Sequence, residues 1–97
     1  MAVCFIIEPP DVDTAVYERV RAEVRMDVDP PDGLVLHCAG AAGDGTWRVV
    51  EVWDSSAAQQ TFLRERLGPA LQKVGVRPPR ITEVSLHDLK IARAAAV

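Results

Sequence analysis

The chain lacks most of the signatures that assign chemistry at sight. It has no glycine-rich phosphate loop, no Gly-x-Ser-x-Gly elbow, no dinucleotide fingerprint and no His/Cys cluster at metal spacing, which disfavours nucleotide and metal chemistry. Its two cysteines, Cys4 and Cys38, are too few for a disulfide scaffold, and both lie in apolar runs where a free thiol behaves as a small hydrophobe. They are read as reduced. Basic charge is short as well: the net charge is −3, and the eleven Lys and Arg are scattered, so no partner of nucleic acid is expected. The first apolar run, Ala2 to Ile7, has no charged flank and is far too short for a signal peptide or a membrane span. No membrane association is expected, and the protein is expected in the cytoplasm. Its 97 residues make one domain, 1–97, and a domain of this size buries only about 60 to 70% of its unfolded surface and often gains stability by association.

What is present centres on Gly33 to Gln60. Leu34 to Ala39 and Trp47 to Trp53 are two β-rich runs, and between them Gly40-Ala-Ala-Gly-Asp-Gly45 supplies residues that tolerate a tight reversal. If the hairpin closes symmetrically about Gly43, His37 faces Val49, Val35 faces Glu51 and Ala39 faces Trp47. Val35, His37, Ala39, Trp47, Val49, Glu51 and Trp53 then share one face, and Leu34, Leu36, Cys38, Arg48, Val50 and Val52 the other. A slip of one residue would separate His37 from Glu51. Neither face is polar, so both are expected to be buried, one under helices and one against a second copy.

Val3 to Ile7, stopped by Glu8-Pro9-Pro10, reads as the first strand. Val12, Val16, Tyr17, Val20 and Val24 mark a first helix, capped by Asp13 or Thr14. Asp27 to Gly33 is a proline-bearing loop. Behind Trp53, Ser56-Ala-Ala-Gln59 fits a capping box, with Asp54 and Ser55 as competing caps. The helix it opens carries Phe62, Leu63, Leu67, Leu71 and Val74, and Gly68-Pro69 is expected to kink it or break it in two. Ile81 to His87 is a fourth strand. The tail from Lys90 has weak patterning and is expected to fray or to lie on a partner. With right-handed crossovers this order makes an α+β, ferredoxin-like βαββαβ fold, with an antiparallel sheet in the order 4-1-3-2. Strands one and two are not neighbours in it, which argues against a Cys4 to Cys38 disulfide. Two such sheets packed face to face form a homodimer.

Gly33-Leu-Val-Leu-His-Cys-Ala-Gly, Gly45-Thr-Trp-Arg-Val-Val-Glu-Val-Trp-Asp-Ser and Phe62-Leu-Arg-Glu-Arg-Leu-Gly-Pro-Ala-Leu resemble the dimeric α+β barrel superfamily. Within it the chain is most similar to small uncharacterised proteins related to antibiotic-biosynthesis monooxygenases. The most specific piece, a strand ending in Trp-Asp-Ser and leading into a helix, reports fold better than activity. The superfamily includes cofactor-free oxygenases of aromatic polyketides, haem-degrading enzymes, small isomerases and decarboxylases. The haem-degrading branch resembles the chain at Trp53, but where that branch has a second Trp and then a His this chain has Phe62 and Gln72, so haem is disfavoured. No cofactor and no metal are expected.

The chemical candidates are His37 and Glu51, a base and the carboxylate that would orient it. Trp47, Trp53, Tyr17 and Phe62 are candidates for substrate binding, the indoles offering an apolar wall and an N–H donor. One function the resemblance implies is a cofactor-independent monooxygenase-like enzyme, with an isomerase or cyclase the other enzymatic reading, acting on a small aromatic or polyketide-like compound. The alternative is a non-catalytic dimer, small-molecule-binding or stress-related, in which His37 is neutral and hydrogen-bonded and the aromatics are ordinary core. His87, beside Asp88, is read as a solvated strand end.

Overall fold

The computed structural model describes residues 2–93. Four antiparallel strands, β1 (Val3–Glu8), β2 (Leu34–Ala41), β3 (Trp47–Trp53) and β4 (Arg80–Ser85), form one sheet in the order β2-β3-β1-β4. This is the expected ferredoxin-like order, read from the other edge. The helices α1 (Thr14–Val24), α2 (Ser56–Phe62) and α3 (Gly68–Val74) cover one face, and a π-helical segment, Leu63–Leu67, joins the last two. Among the described residues no helix is long and apolar enough to cross a membrane.

Alternation along β1 sorts its residues. Val3, Phe5 and Ile7 are buried under the helices, whereas Cys4 and Ile6 point the other way and stay partly open. Trp47, Val49 and Trp53 join the same core from β3, and Val20, Val24, Phe62 and Ala70 meet them from the helices. The β-branched valines of α1 lower its intrinsic propensity, and burying Val20 and Val24 offsets that by about 1.5 to 3 kcal/mol each. Asp13 is its N-cap, accepting from Val16 N–H at 2.9 Å, and Arg25 closes it in the left-handed region.

The hairpin closes one residue later than expected. Asp44 Oδ1 accepts from Thr46 N–H at 3.0 Å and from Thr46 Oγ1–H at 2.6 Å, and Gly45 takes φ +86°. That Asp-centred turn places His37 opposite Glu51, Ala39 opposite Val49 and Ala41 opposite Trp47. The shift is two residues in pairing, an even number, so His37, Ala39, Trp47, Val49 and Glu51 keep a common face. The base of the hairpin does change. A register shift between Leu34 and Leu36 pairs Leu34 with Trp53 and leaves Val35 as the extra residue, so Leu34, not Val35, packs against the helix-side core.

The expected capping box does not form. Ser55 caps α2, accepting from Ala58 N–H at 3.1 Å, while Ser56 Oγ–H turns to Glu83 and Gln59 is buried. Nor does Gly68-Pro69 break the helix. Proline cannot donate to the ladder, and the chain absorbs this by widening one turn, with Gly68 N–H donating to Leu63 O. Residues 94–97 of the tail lie outside the described residues.

The face away from the helices carries Cys4, Ile6, Leu36, Cys38, Val50, Val52 and Val84, and Val84 is 41% exposed. Both cysteines are free, and β3 separates their strands.

Gly33 ties this sheet to α2. It has φ +88°, its carbonyl accepts from Asp54 N–H at 2.8 Å, and a Cβ built on it would lie 2.8 Å from Ala58 Cβ. Gly33→Ala should therefore lower stability by at least about 1 to 2 kcal/mol, the cost of the left-handed backbone before any clash. Urea denaturation checks this, and an unchanged midpoint would contradict it.

Candidate functional site

A cavity of about 570 Å³ lies between the sheet and the helices. Tyr17 and Val20 of α1, His37 of β2, Trp47, Val49 and Glu51 of β3, and Phe62 and Leu67 from the second helical stretch line it. Volumes of this order are typical of small-molecule sites.

One polar network crosses its wall. His37 Nδ1–H donates to Glu51 Oε2 at 2.8 Å, Trp53 Nε1–H donates to Glu51 Oε1 at 3.0 Å, and the Tyr17 hydroxyl donates to His37 Nε2 at 2.7 Å. The direction of the chain follows from its ends. A carboxylate offers only lone pairs, so Nδ1 carries the imidazole hydrogen and Nε2 is left to accept from Tyr17. Glu51 is 2% exposed and Trp53 0%, whereas the His37 side chain keeps 22%. Burial pushes the Tyr17 phenol above its ordinary ionisation, with Glu18, Asp27 and Glu51 adding to this and Arg21 opposing it. Tyr17 therefore rests as an O–H donor.

Local sequence explains each placement. Strand pairing sets His37 and Glu51 side by side. Two residues beyond Glu51 on the same strand face, Trp53 reaches back to the second carboxylate oxygen. Tyr17, on the sheet-facing stripe of α1, stacks near His37 and lies 5.2 Å from Trp47, ring centre to ring centre.

Five of the six residues singled out from sequence line the cavity: His37, Glu51, Trp47, Tyr17 and Phe62. Trp53 is not part of that wall. Its indole lies behind Glu51 and packs on Phe62 at 5.2 Å, so it holds the carboxylate rather than facing the cavity. Trp47 Nε1 is buried and has no hydrogen-bond partner among the described residues. Gln72, where the haem-degrading branch has its histidine, is exposed on α3. No group of three or more His, Cys, Asp and Glu able to hold a metal ion occurs among the described residues. His87 is exposed beyond β4.

Sequence reasoning missed Arg21 and Asp27, which also line the cavity. Arg21 grips Asp27 through two bonds, Nε–H to Oδ2 at 2.7 Å and Nη2–H to Oδ1 at 3.2 Å, and reaches Glu18 at 3.3 Å. The Arg21 hydrogen bond holds the Asp27 carboxyl below its ordinary value, and Asp27 in turn raises Arg21. A signal for Arg21 was present, since it lies one helical turn beyond Tyr17. Asp27 gave none, because its position depends on the left-handed turn at Arg25.

Neither a family model nor a curated protein matches the chain. Solved structures match it over nearly its whole length. SnoaB, a cofactor-independent oxygenase from Streptomyces nogalater, aligns at a TM-score of 0.67 with 16% identity, over 91% of this chain and 95% of that one. Rv0793 from Mycobacterium tuberculosis aligns at 0.62 with 21% identity, over 95% and 97%. A dimeric ferredoxin-like protein of unknown function from Thermobifida fusca aligns at 0.62 with 16% identity, over 89% and 92%. The chain has the ferredoxin-like fold of antibiotic-biosynthesis-monooxygenase-like proteins. That fold is hosted by proteins of differing and of unknown function, so any chemistry must be argued from the network itself.

Trp53→Phe should test how far Glu51 depends on its second donor. It leaves a buried carboxylate oxygen unpaired, at a cost of about 1 to 3 kcal/mol. In a double-mutant cycle with Glu51→Ala, which removes the acceptor, the two changes should couple by more than about 0.5 kcal/mol, and simple additivity would contradict the contact.

Proposed function

We propose that this protein is a cofactor-independent, monooxygenase-like enzyme that deprotonates a small aromatic or polyketide-like phenol or enol in the cavity, working as a homodimer. The observation that carries the reading is the His37–Glu51 pair at 2.8 Å, opening onto a cavity of about 570 Å³ with mostly apolar walls. A base oriented by a buried carboxylate suits removal of a phenolic or enolic proton. The Trp47 N–H, buried in that wall without a partner, is a donor for a ligand oxygen, and the aromatic rings of Trp47, Tyr17 and Phe62 offer flat apolar surface to a planar ligand. An electron-rich anion of this class can itself reduce dioxygen, turning a ring CH₂ into a carbonyl and releasing water, so oxygenation by this route calls for no redox cofactor. The fold shared with SnoaB is consistent with that chemistry.

A non-catalytic, small-molecule-binding dimer is the second reading. It is favoured by one feature, that each polar side chain of the network already has a hydrogen-bond partner within the protein. The two readings differ at His37. A melting-shift screen of small phenolic and enolic aromatics on wild type and His37→Gln should find compounds that stabilise the wild type and lose that effect in the variant. If no compound shifts the wild type while His37→Gln alone lowers the melting point, His37 is structural and the enzymatic reading fails.

The dimer is argued from the uncovered sheet face. Ile6, Leu36, Val50 and Val84 make an apolar surface with no helix over it among the described residues, and a second identical sheet is its complement about a two-fold axis. The Thermobifida fusca protein of the same fold is described as dimeric. Sedimentation at micromolar concentration should give twice the chain mass of 10.6 kDa, and a stable monomer would contradict the assembly.

A further inference from the structure

Both ring nitrogens of His37 are spent inside the protein, Nδ1 on Glu51 and Nε2 on Tyr17. Both oxygens of Glu51 are spent as well, on His37 and Trp53, and the residue is 2% exposed. A ligand in the cavity therefore finds no free position on the imidazole, and the carboxylate is buried. The Tyr17 hydroxyl differs. Its hydrogen goes to His37, while its oxygen accepts from no donor among the described residues and lies in a side chain that lines the cavity. A hydroxyl oxygen keeps acceptor capacity after donating its hydrogen.

We propose that Tyr17 is the catalytic residue of this site, the atom that touches the ligand and takes its proton, and that His37 and Glu51 are positioning residues that draw Tyr17's own proton away. The inference rests on the function proposed above and goes further by moving the point of contact from the imidazole to the phenol. In the step, the ligand O–H bond breaks and its proton bonds to the Tyr17 oxygen. At the same time the Tyr17 O–H bond breaks and that proton bonds to His37 Nε2. The products are a ligand oxyanion, a neutral Tyr17 and an imidazolium held by Glu51 at 2.8 Å. No electrons change hands in the transfer.

This arrangement also selects the ligand. Because burial disfavours a free Tyr17 phenolate, the two transfers are coupled, and the final proton acceptor is the imidazole of His37. Acidic phenols and enols match such an acceptor, whereas simple alcohols, far weaker acids, do not. The ligand enters neutral, since Arg21, the one guanidinium in the cavity wall among the described residues, is already held by Asp27 and Glu18.

The direction of the relay depends on Glu51. In Glu51→Gln the amide oxygen can still accept from Trp53, and its NH₂ then points at His37 Nδ1. That forces the imidazole hydrogen onto Nε2, which donates to Tyr17, and Tyr17 can no longer pass its proton on. The side chain remains nearly isosteric, so the fold is kept.

The probe is para-nitrophenol, whose anion absorbs visible light, so its ionisation can be read while bound and without any turnover assay. On wild type the bound phenol should be at least about tenfold more ionised than in free solution at the same pH, the equivalent of one unit in pKa. Tyr17→Phe keeps the ring against Trp47 and should bind the probe within a few-fold of wild type, but with that extra ionisation lost. Glu51→Gln should lose it too. If Tyr17→Phe keeps the extra ionisation and His37→Gln loses it, the imidazole meets the ligand directly; the function proposed above then stands and this inference falls. If para-nitrophenol does not bind the wild type, or binds with no gain in ionisation, both fall. Melting curves of the three variants establish that each is folded before its result is read.

Discussion

The buried carboxylate of Glu51 is the constraint on which the rest of this structure turns. An ionised group taken out of water costs several kcal/mol unless donors replace its hydration, and here two do, His37 Nδ1–H and Trp53 Nε1–H. Those donors come from different parts of the hairpin. Satisfying both requires His37 to lie opposite Glu51, which sets the register of β2 on β3, and requires Trp53 to stay on the face of Glu51 at the end of β3. The bulge at Val35 sits between these two demands. It lets Leu34 meet Trp53 while His37 keeps its place, so the same irregularity that re-aims the strand closes the core beneath the site.

From that fixed pair the site is built outward by packing. Val20 and Val24 press α1 onto the sheet, and this brings Tyr17 down to His37 Nε2 and beside Trp47. The second helical stretch supplies Phe62, Leu67 and Leu71 from the other side, and its π-helical turn lets the chain pass Pro69 without losing the helix. A polar chain of four side chains thus runs from the fully buried indole of Trp53 to the phenol of Tyr17 in the cavity wall. Donation converges on Glu51, because a carboxylate can only accept: Trp53 donates to it from one side, and Tyr17 donates to His37 and His37 to Glu51 from the other.

The ferredoxin-like order of elements was legible in the sequence because the apolar periods are clear and Glu8-Pro9-Pro10 and the loop from Asp27 to Gly33 mark the breaks. The sharing of a face by His37, Trp47 and Glu51 was legible for a reason that is partly fortunate. The turn centre was placed at Gly43 rather than Asp44, but an error of one in the centre changes the pairing by two, and side chains alternate with period two. The bulge was not legible, since nothing in Leu34-Val-Leu36 marks an extra residue. The capping box at Ser56 failed because Ser55 took the cap, and Gln59 went into the interior instead. Trp53 was read as a wall of the cavity when its indole N–H is used on Glu51, a partner that only the three-dimensional register reveals. Tyr17 was placed on the sheet-facing stripe of α1, yet its bond to His37 depends on how the helix lies across the sheet, which periodicity does not determine.

Glu51 fixes the hydrogen of His37 on Nδ1 and leaves Nε2 to accept from Tyr17. Long-range nitrogen–proton correlation NMR on the folded protein, labelled with nitrogen-15 and recorded at a pH where the ring is neutral, reads the tautomer directly. The neutral His37 ring should show a protonated Nδ1, its proton strongly hydrogen-bonded and slow to exchange, and an unprotonated Nε2. A neutral ring with its hydrogen on Nε2 would mean that the chain runs the other way, with Tyr17 accepting from the imidazole, and would contradict this arrangement.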